Sequence, residues 1–218
     1  IFRTNNSWIY YKKMKNLRRY IRMLIEGAVS GQQAIKSGFA LYRRQSGDFI
    51  QYILYDPNKL IEYMDDSTID GTSVVKGYIQ VRTRSGDCNN ASQVKASWSA
   101  PGGFGPLMYD LAMADNANGI MSDRGDTSAA ARKVWQYYYD NRDDVFAIPF
   151  DDIDAAEEDK ETPEPEDDCM LVGDKVLDHS YSGKTETGAL GQLQQAHSTF
   201  MKSLDDDSVA AQDALFNI

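Results

Sequence analysis

Short runs of β-branched and aromatic residues dominate the first half of the chain after residue 38. Four of these runs have the length and composition of β-strands. They cover residues 39–43, 49–55, 74–82 and 93–98. Turn-forming residues separate them, and a short helix at residues 59–64 follows the second run. Because the runs follow one another closely, they predict an antiparallel meander.

The spacing of apolar residues becomes helical after a glycine-rich stretch at residues 101–106. Apolar residues from Leu107 onward predict a helix that runs to about residue 116. A short strand at residues 120–123 and a second helix at residues 129–139 follow. This order predicts an α/β (α+β) fold, in which helices flank a mixed, mainly antiparallel sheet.

The two ends of the chain differ from this central domain, which we place at residues 14–150. Residues 1–13 have no clear period and predict a non-native or disordered leader, with the protein starting at the methionine that follows. Residues 14–26 predict a basic amphipathic helix. The segment 151–168 holds 11 Asp and Glu among 18 residues and predicts a flexible acidic linker or a surface strap. Residues 169–218 predict a polar, partly helical C-terminal extension.

Charge is distributed unevenly along the chain. Residues 1–100 carry 15 Lys and Arg against 8 Asp and Glu, whereas residues 101–218 carry 8 against 25. The resulting net charge of −10 argues against general nucleic-acid binding, because the phosphates would be repelled. No apolar run reaches the roughly 20 residues that a transmembrane helix needs.

The two cysteines, Cys88 and Cys169, are too few for a disulfide framework or a structural zinc site. Without a signal peptide, they favour a protein of the reducing cytoplasm. The acidic residues that precede Cys169 disfavour its thiolate, so it is predicted to be a poor nucleophile. No spacing of His, Cys, Asp and Glu indicates a metal site.

The stretch Pro101-Gly102-Gly103-Phe104-Gly105-Pro106 lies between the predicted fourth strand and the helix that follows it. A helix N-terminus carries unpaired N–H groups and a partial positive charge, so this turn offers an anion site. Its glycines would let the backbone approach a phosphate without a Cβ in the way, and Pro106 suits a first helical turn. The pattern is neither a Rossmann fingerprint, since the third glycine is missing, nor a Walker A motif, since no lysine follows the last glycine.

This turn resembles the acetyl-CoA loop of the GNAT N-acetyltransferase superfamily, which has the form Gln/Arg-x-x-Gly-x-Gly/Ala. Gly103 and Gly105 occupy its two small positions, and Ala100 stands where the family has Gln or Arg. Residues 99–145 further resemble GNAT-like proteins of tailed marine phages. The resemblance implies a GNAT-like fold with acetyl-CoA as the cofactor. The residues it places around the cofactor are Trp98, Gly102, Gly103, Phe104, Gly105 and Pro106.

Acetyl transfer to an amine requires a base for the amine and an acid for the leaving thiolate. In the superfamily, a tyrosine on the helix after the fifth strand commonly serves as the acid. Tyr137 and Tyr138 lie on the corresponding predicted helix, and Asp123 is the nearest carboxylate that could act as the base. Two of them have a structural alternative: Tyr138 as a core residue, and Asp123 as a turn cap beside Arg124.

Two hypotheses of function follow. The first is an acetyl-CoA-dependent N-acyltransferase of phage origin that acts on a small amine or a protein amine in the host cytoplasm. The second is a non-catalytic protein with a GNAT fold, associated with the virion or with a protein partner. The glycine loop favours the first, whereas Ala100 and the lack of a clear base favour the second.

Overall fold

The computed structural model describes residues 28–66, 68–84, 86–156, 159–160, 167–183 and 186–218. The leader predicted at residues 1–13 and the helix predicted at residues 14–26 lie outside the described residues. In the described ranges the chain has a mixed α/β fold, with helices on both faces of a mainly antiparallel seven-stranded sheet. Within those ranges, no helix combines the length and the apolarity that crossing a bilayer would require.

The predicted meander is confirmed. The first four strands are β1 (Ala40–Ser46), β2 (Phe49–Tyr55), β3 (Val75–Arg82) and β4 (Ser92–Ser99). They pair antiparallel in chain order. Side chains alternate between the two faces of a strand, and β2 is apolar on both: Tyr52 and Leu54 are buried on one face, and Ile53 and Tyr55 on the other. Other elements must therefore pack on both faces of the sheet to bury these side chains.

In the described ranges, the second half of the chain supplies five more strands. They are β5 (Ile120–Met121), β6 (Phe146–Pro149), β7 (Asp151–Asp152), β8 (Asp168–Cys169) and β9 (His179–Ser182). β5 runs parallel to β4, and β9 lies between β5 and β6, antiparallel to both. The order in the main sheet is β1-β2-β3-β4-β5-β9-β6, and β7 and β8 form a separate parallel pair. Neighbouring strands of the main sheet, antiparallel elsewhere, are therefore parallel at the junction of β4 and β5.

Helices cover the two faces of this sheet. In the described ranges they are α1 (Gly31–Lys36), α2 (Pro57–Asp65), α3 (Phe104–Asp115), α4 (Ala129–Asn141), α5 (Thr187–Ser203) and α6 (Ser208–Asn217). α3 and α4 bury Leu107, Leu111 and Trp135 against one face. α2 and α6 bury Leu60 and Leu215 against the other. The helices predicted after the glycine loop are therefore confirmed.

The C-terminal segment, predicted as a polar extension from residue 169, takes part in the main sheet and in both cores. β9 carries the buried Ser180 and Tyr181, and Leu193 of α5 is fully buried. Tyr181 also donates a hydrogen bond of 2.7 Å to the carbonyl of Val176. The fold therefore continues beyond residue 150 into this segment.

Cys88 and Cys169 form a disulfide, which corrects the expectation that the two thiols stay reduced. Cys88 opens a short 3-10 turn (Cys88–Asn90) before β4, Cys169 ends β8, and both side chains are buried. The bond ties the end of the acidic segment to the sheet, 81 positions away in sequence. The number and spacing of the cysteines do not reveal this contact, and they no longer favour a reducing compartment.

Reduction of this disulfide is expected to lower the free energy of unfolding by about 2–4 kcal/mol, because the unfolded chain loses a long closed loop. Urea unfolding with and without dithiothreitol measures the difference. Cys88→Ser is the control, since its midpoint should not respond to the reductant. An unchanged midpoint in the parent protein, with both thiols shown to be reduced by mass spectrometry, would contradict the expectation.

Candidate functional site

The glycine turn leads from β4 directly into α3, as the sequence predicts. Gly102 and Gly103 have φ angles of +115° and +87°, a region that residues with a Cβ rarely adopt. Gly103 is the N-cap of α3, and no side chain of the described residues caps this helix end. Phe104, Gly105 and Pro106 form the first turn. Proline is tolerated there, because an N–H group in the first turn would have no acceptor within the helix. As far as the described residues go, this helix end thus presents backbone N–H groups to a ligand.

Contacts on the protein side hold the turn in place. The carbonyl of Gly103 accepts a hydrogen bond of 3.0 Å from the backbone N–H of Val29. The ring of Phe104 packs edge-on against the ring of Phe39, with 5.7 Å between their centroids. Gly102, by contrast, is exposed. A preformed, uncapped helix N-terminus of this kind favours a phosphate or another anion.

A cleft opens where β4 and β5 separate. The two strands pair only at Ser92 with Ile120 and at Gln93 with Met121. Beyond this point residues 95–98 are exposed, although β4 lies in the interior of the sheet order. The register between β3 and β4 skips Lys95, which therefore sits on a β-bulge. The cleft has a volume of about 240 Å³, and its walls are residues 94–97 of β4, Tyr109, Trp135 and the start of α4.

Two polar pairs line this cleft. The ammonium of Lys95 lies 2.5 Å from Oδ2 of Asp123, and the side-chain amide of Gln93 donates to Oδ1 of the same carboxylate at 3.3 Å. The second pair consists of the hydroxyls of Ser97 and Tyr109, which are 2.9 Å apart. Burial raises the pKa of the Tyr109 phenol, so this hydroxyl keeps its proton at neutral pH. The cleft thus combines a lysine amine, a carboxylate and a buried proton donor.

Tyr138 lies in the core and does not line the cleft. Its side chain is 1% exposed. Its hydroxyl lies 2.8 Å from Oδ1 of Asp110 and 3.1 Å from the carbonyl of Pro106, and it donates to these acceptors. Burial, followed by the charge of Asp110, raises the pKa of this phenol well above its ordinary value. Tyr138 therefore fastens the first turn of α3 to α4.

Tyr137 is half-buried beside Arg142, whose guanidinium lies 6.0 Å from the centre of its ring. Burial, the first cause, raises the pKa of this phenol as well. Tyr137 is not among the residues that line the cleft. Of the three predicted catalytic residues, the structure brings only Asp123 into the cleft.

Trp98 faces away from the cleft, because neighbouring residues of a strand point to opposite faces. Its ring lines a groove of about 510 Å³ on the other side of the sheet, together with Tyr78 of β3 and Phe216 of α6. The structure therefore does not bring Trp98 to the glycine turn.

Three acidic side chains meet at the β7–β8 pair: the carboxylates of Asp151, Asp167 and Asp168 lie within 4.8 Å of one another. The ammonium of Lys160 is 2.7 Å from Asp168 and offsets part of their charge. Oxygen ligands of this kind suit a hard cation such as Ca²⁺. None of these residues lines the cleft.

Lys95, Ser97 and Tyr109 are not among the site residues predicted from the sequence. A signal was present, since Lys95-Ala96-Ser97 interrupts the apolar composition expected of an interior strand. Tyr109 carries no such signal, because an aromatic residue on an apolar helix is usually part of the core.

The chain was compared with protein-family models, with curated proteins and with solved structures, and none of the three comparisons gave a match.

Proposed function

We propose that this protein is an N-acyltransferase of the GNAT type that uses acetyl-CoA and an amine acceptor. One observation carries the proposal: β4 separates from β5 after two residue pairs and ends at an uncapped glycine turn on the N-terminus of α3. A slot beside a free edge of the strand that leads into an anion site suits a long ligand that has a polar arm and a pyrophosphate.

The ligand's parts match the surfaces of this slot. The N–H groups of residues 102–105 would bind the pyrophosphate, as a helix N-terminus does. The β4 edge that β5 leaves unpaired offers backbone donors and acceptors to the amides of the pantetheine arm, in the manner of an added strand. Ala100 supplies no side-chain contact, and its N–H is already bonded to the carbonyl of Lys76 at 3.0 Å. The backbone of the turn would therefore do most of the phosphate binding.

The residues of the cleft indicate how acyl transfer could proceed. When bound, acetyl-CoA supplies an activated thioester. The Tyr109 hydroxyl is placed to donate a proton to a leaving thiolate, since it lines the cleft and holds its proton. Asp123 is placed to receive a proton from an amine, once its carboxylate is released from Lys95. We assign the acid to Tyr109 in preference to Tyr137 or Tyr138, because neither of those lines the cleft.

One observation favours the alternative, a non-catalytic protein that uses the same scaffold to bind a partner. The ion pair between Lys95 and Asp123 crosses the cleft at 2.5 Å and occupies the carboxylate that would act as the base. In this alternative the pair holds the cleft closed, and acetyl-CoA does not bind.

Calorimetric titration with acetyl-CoA tests the proposal, and Gly105→Glu is expected to abolish the binding that the parent protein shows. The new carboxylate would repel the pyrophosphate. It should not disturb folding, since a Cβ at Gly105 meets only Oγ of Ser99 at 3.4 Å and acidic residues stabilise a first helical turn.

Gly188→Glu is the matched control, because Gly188 is likewise the second residue of a helix, α5, and has open space around it. It should bind acetyl-CoA as the parent does. If the parent shows no heat of binding at millimolar acetyl-CoA, or if both variants bind equally well, the proposal is wrong.

A further inference from the structure

Lys95 has an unusual position for a lysine. It occupies the bulge of β4, an interior strand in the sheet order, and its side chain lines the cleft. Two-thirds of that side chain is covered, since its exposed fraction is 33%. Its ammonium lies 2.5 Å from Asp123, on the opposite wall. A primary amine and a carboxylate are thus held together inside the slot proposed for the acyl thioester.

Lys59 offers a contrast. It forms an ion pair of the same length, 2.5 Å, with Glu62 on the surface of α2. Its side chain is more exposed, at 42%, and neither member of the pair lines the cleft. Lys59 therefore reports the reactivity of an ordinary lysine beside a carboxylate.

We propose that Lys95 is an acyl-acceptor site of this protein: its ε-amine takes the acyl group from an acyl-CoA thioester bound in the same cleft. The inference rests on the proposed binding of acetyl-CoA. It goes further by naming Lys95 as the amine to which a bound thioester would transfer its acyl group. Because the bound donor and the acceptor lysine share one cleft of the same protein molecule, the reaction needs no second protein.

The reaction balances without a further reactant. The Lys95 ammonium gives up a proton to Asp123, and the free amine attacks the thioester carbonyl. A C–N bond forms and the C–S bond breaks, so that the thiolate of CoA leaves and takes a proton from the Tyr109 hydroxyl, which lines the cleft. The nitrogen loses its second proton as the amide forms, and this proton restores the Tyr109 hydroxyl, whereas Asp123 passes the first proton to solvent. The products are an amide on Lys95, free CoA thiol and one proton released to solvent. No atom is oxidised or reduced.

Acylation would also change the cleft. A neutral amide on Lys95 no longer pairs with Asp123, which then keeps only the hydrogen bond from Gln93. The carboxylate is released to accept a proton from a second, external amine. The modification thus removes the ion pair that crosses the cleft in the unmodified protein.

Mass spectrometry of the protein after incubation with acetyl-CoA tests this inference. Acetylated Lys95 resists trypsin, so the modification yields a peptide covering residues 85–124 in place of the separate peptides 85–95 and 96–124, once the disulfide has been reduced. We expect Lys95 to be acetylated more than about tenfold faster than Lys59, because the donor is held beside it.

Three variants complete the design. Gly105→Glu should slow acetylation of Lys95 to the rate of Lys59, whereas Gly188→Glu should leave it unchanged. Lys95→Arg keeps a positive charge beside Asp123 and should bind acetyl-CoA without acquiring the modification in this peptide. Equal rates at Lys95 and Lys59 in a protein that binds acetyl-CoA would overturn the inference alone. Absence of binding in the calorimeter would overturn the proposed function as well.

Discussion

Gly119→Ala is expected to lower the free energy of unfolding by about 3–5 kcal/mol, the sum of a left-handed backbone and a steric clash. Gly119 has a φ of +76°, and a Cβ there would lie 2.3 Å from the carbonyl oxygen of Tyr181, a backbone atom that cannot rotate away. The residue also joins two strands, since its carbonyl accepts a hydrogen bond of 3.1 Å from the N–H of Ser92. The substitution would therefore force β5 and β9 apart.

Gly173→Ala is the matched control, because Gly173 has a similar φ of +71° and a Cβ added there would meet nothing within 4 Å. The Gly173→Ala variant should therefore lose only the free energy that the left-handed backbone conformation costs a residue with a Cβ. Urea unfolding of both variants separates the clash from the conformational cost. Equal losses of stability in the two variants would show that β9 does not pack against Gly119 as described.

Arg142→Ala is expected to cost about 3–5 kcal/mol, because it leaves the buried carboxylate of Asp110 without its cation. The two groups are 3.2 Å apart, and their side chains are only 16% and 10% exposed. Asp110 also accepts the hydroxyl of Tyr138, which holds the first turn of α3. The variant should therefore bind acetyl-CoA more weakly as well.

The loss should depend on pH. Burial raises the pKa of Asp110 above its ordinary value, and Arg142 opposes this shift. Without Arg142 the pKa rises further, so ionising Asp110 at neutral pH costs the folded state more free energy. Below the unfolded pKa of about 3.9 the carboxyl is protonated in both states, and this difference disappears. The gap in stability between the parent and Arg142→Ala should therefore shrink as the pH falls toward about 4.

Arg132→Ala is the control for charge removal, since Arg132 pairs with Asp174 at 2.9 Å on the surface of the same helix and is 48% exposed. It should change stability far less. Two results would contradict the buried ion pair. One is a loss of unfolding free energy in Arg142→Ala that is no larger than in the control. The other is a loss that stays constant between neutral pH and a pH of about 4.

The elements that could be predicted from the sequence are those whose own residues specify them. β2 is apolar on both faces, and its predicted bounds agree with Phe49–Tyr55. The glycine turn is recognisable because the left-handed φ angles at Gly102 and Gly103 require glycine. Each of these signals is local, so a single sequence is enough to carry it.

The features that escaped prediction depend on partners distant in sequence. β9 has the sequence His-Ser-Tyr-Ser, and it is a strand because β5 and β6 pair with it on both sides. The disulfide joins residues 81 positions apart. The role of Tyr138 depends on Asp110, and that of Lys95 on a bulge that only the register with β3 reveals. No single-sequence pattern encodes such pairings.

Hydrogen–deuterium exchange with and without acetyl-CoA tests most directly the claim that the β4–β5 cleft and the glycine turn form one binding site. Acetyl-CoA is expected to protect the amides of residues 94–99 and 102–105, because the free edge of β4 and the N-terminus of α3 would both be occupied. Gly105→Glu should lose this protection, and Gly188→Glu should retain it. No change on addition of acetyl-CoA, or protection confined to the groove around Thr72 and α6 on the other face, would contradict the account.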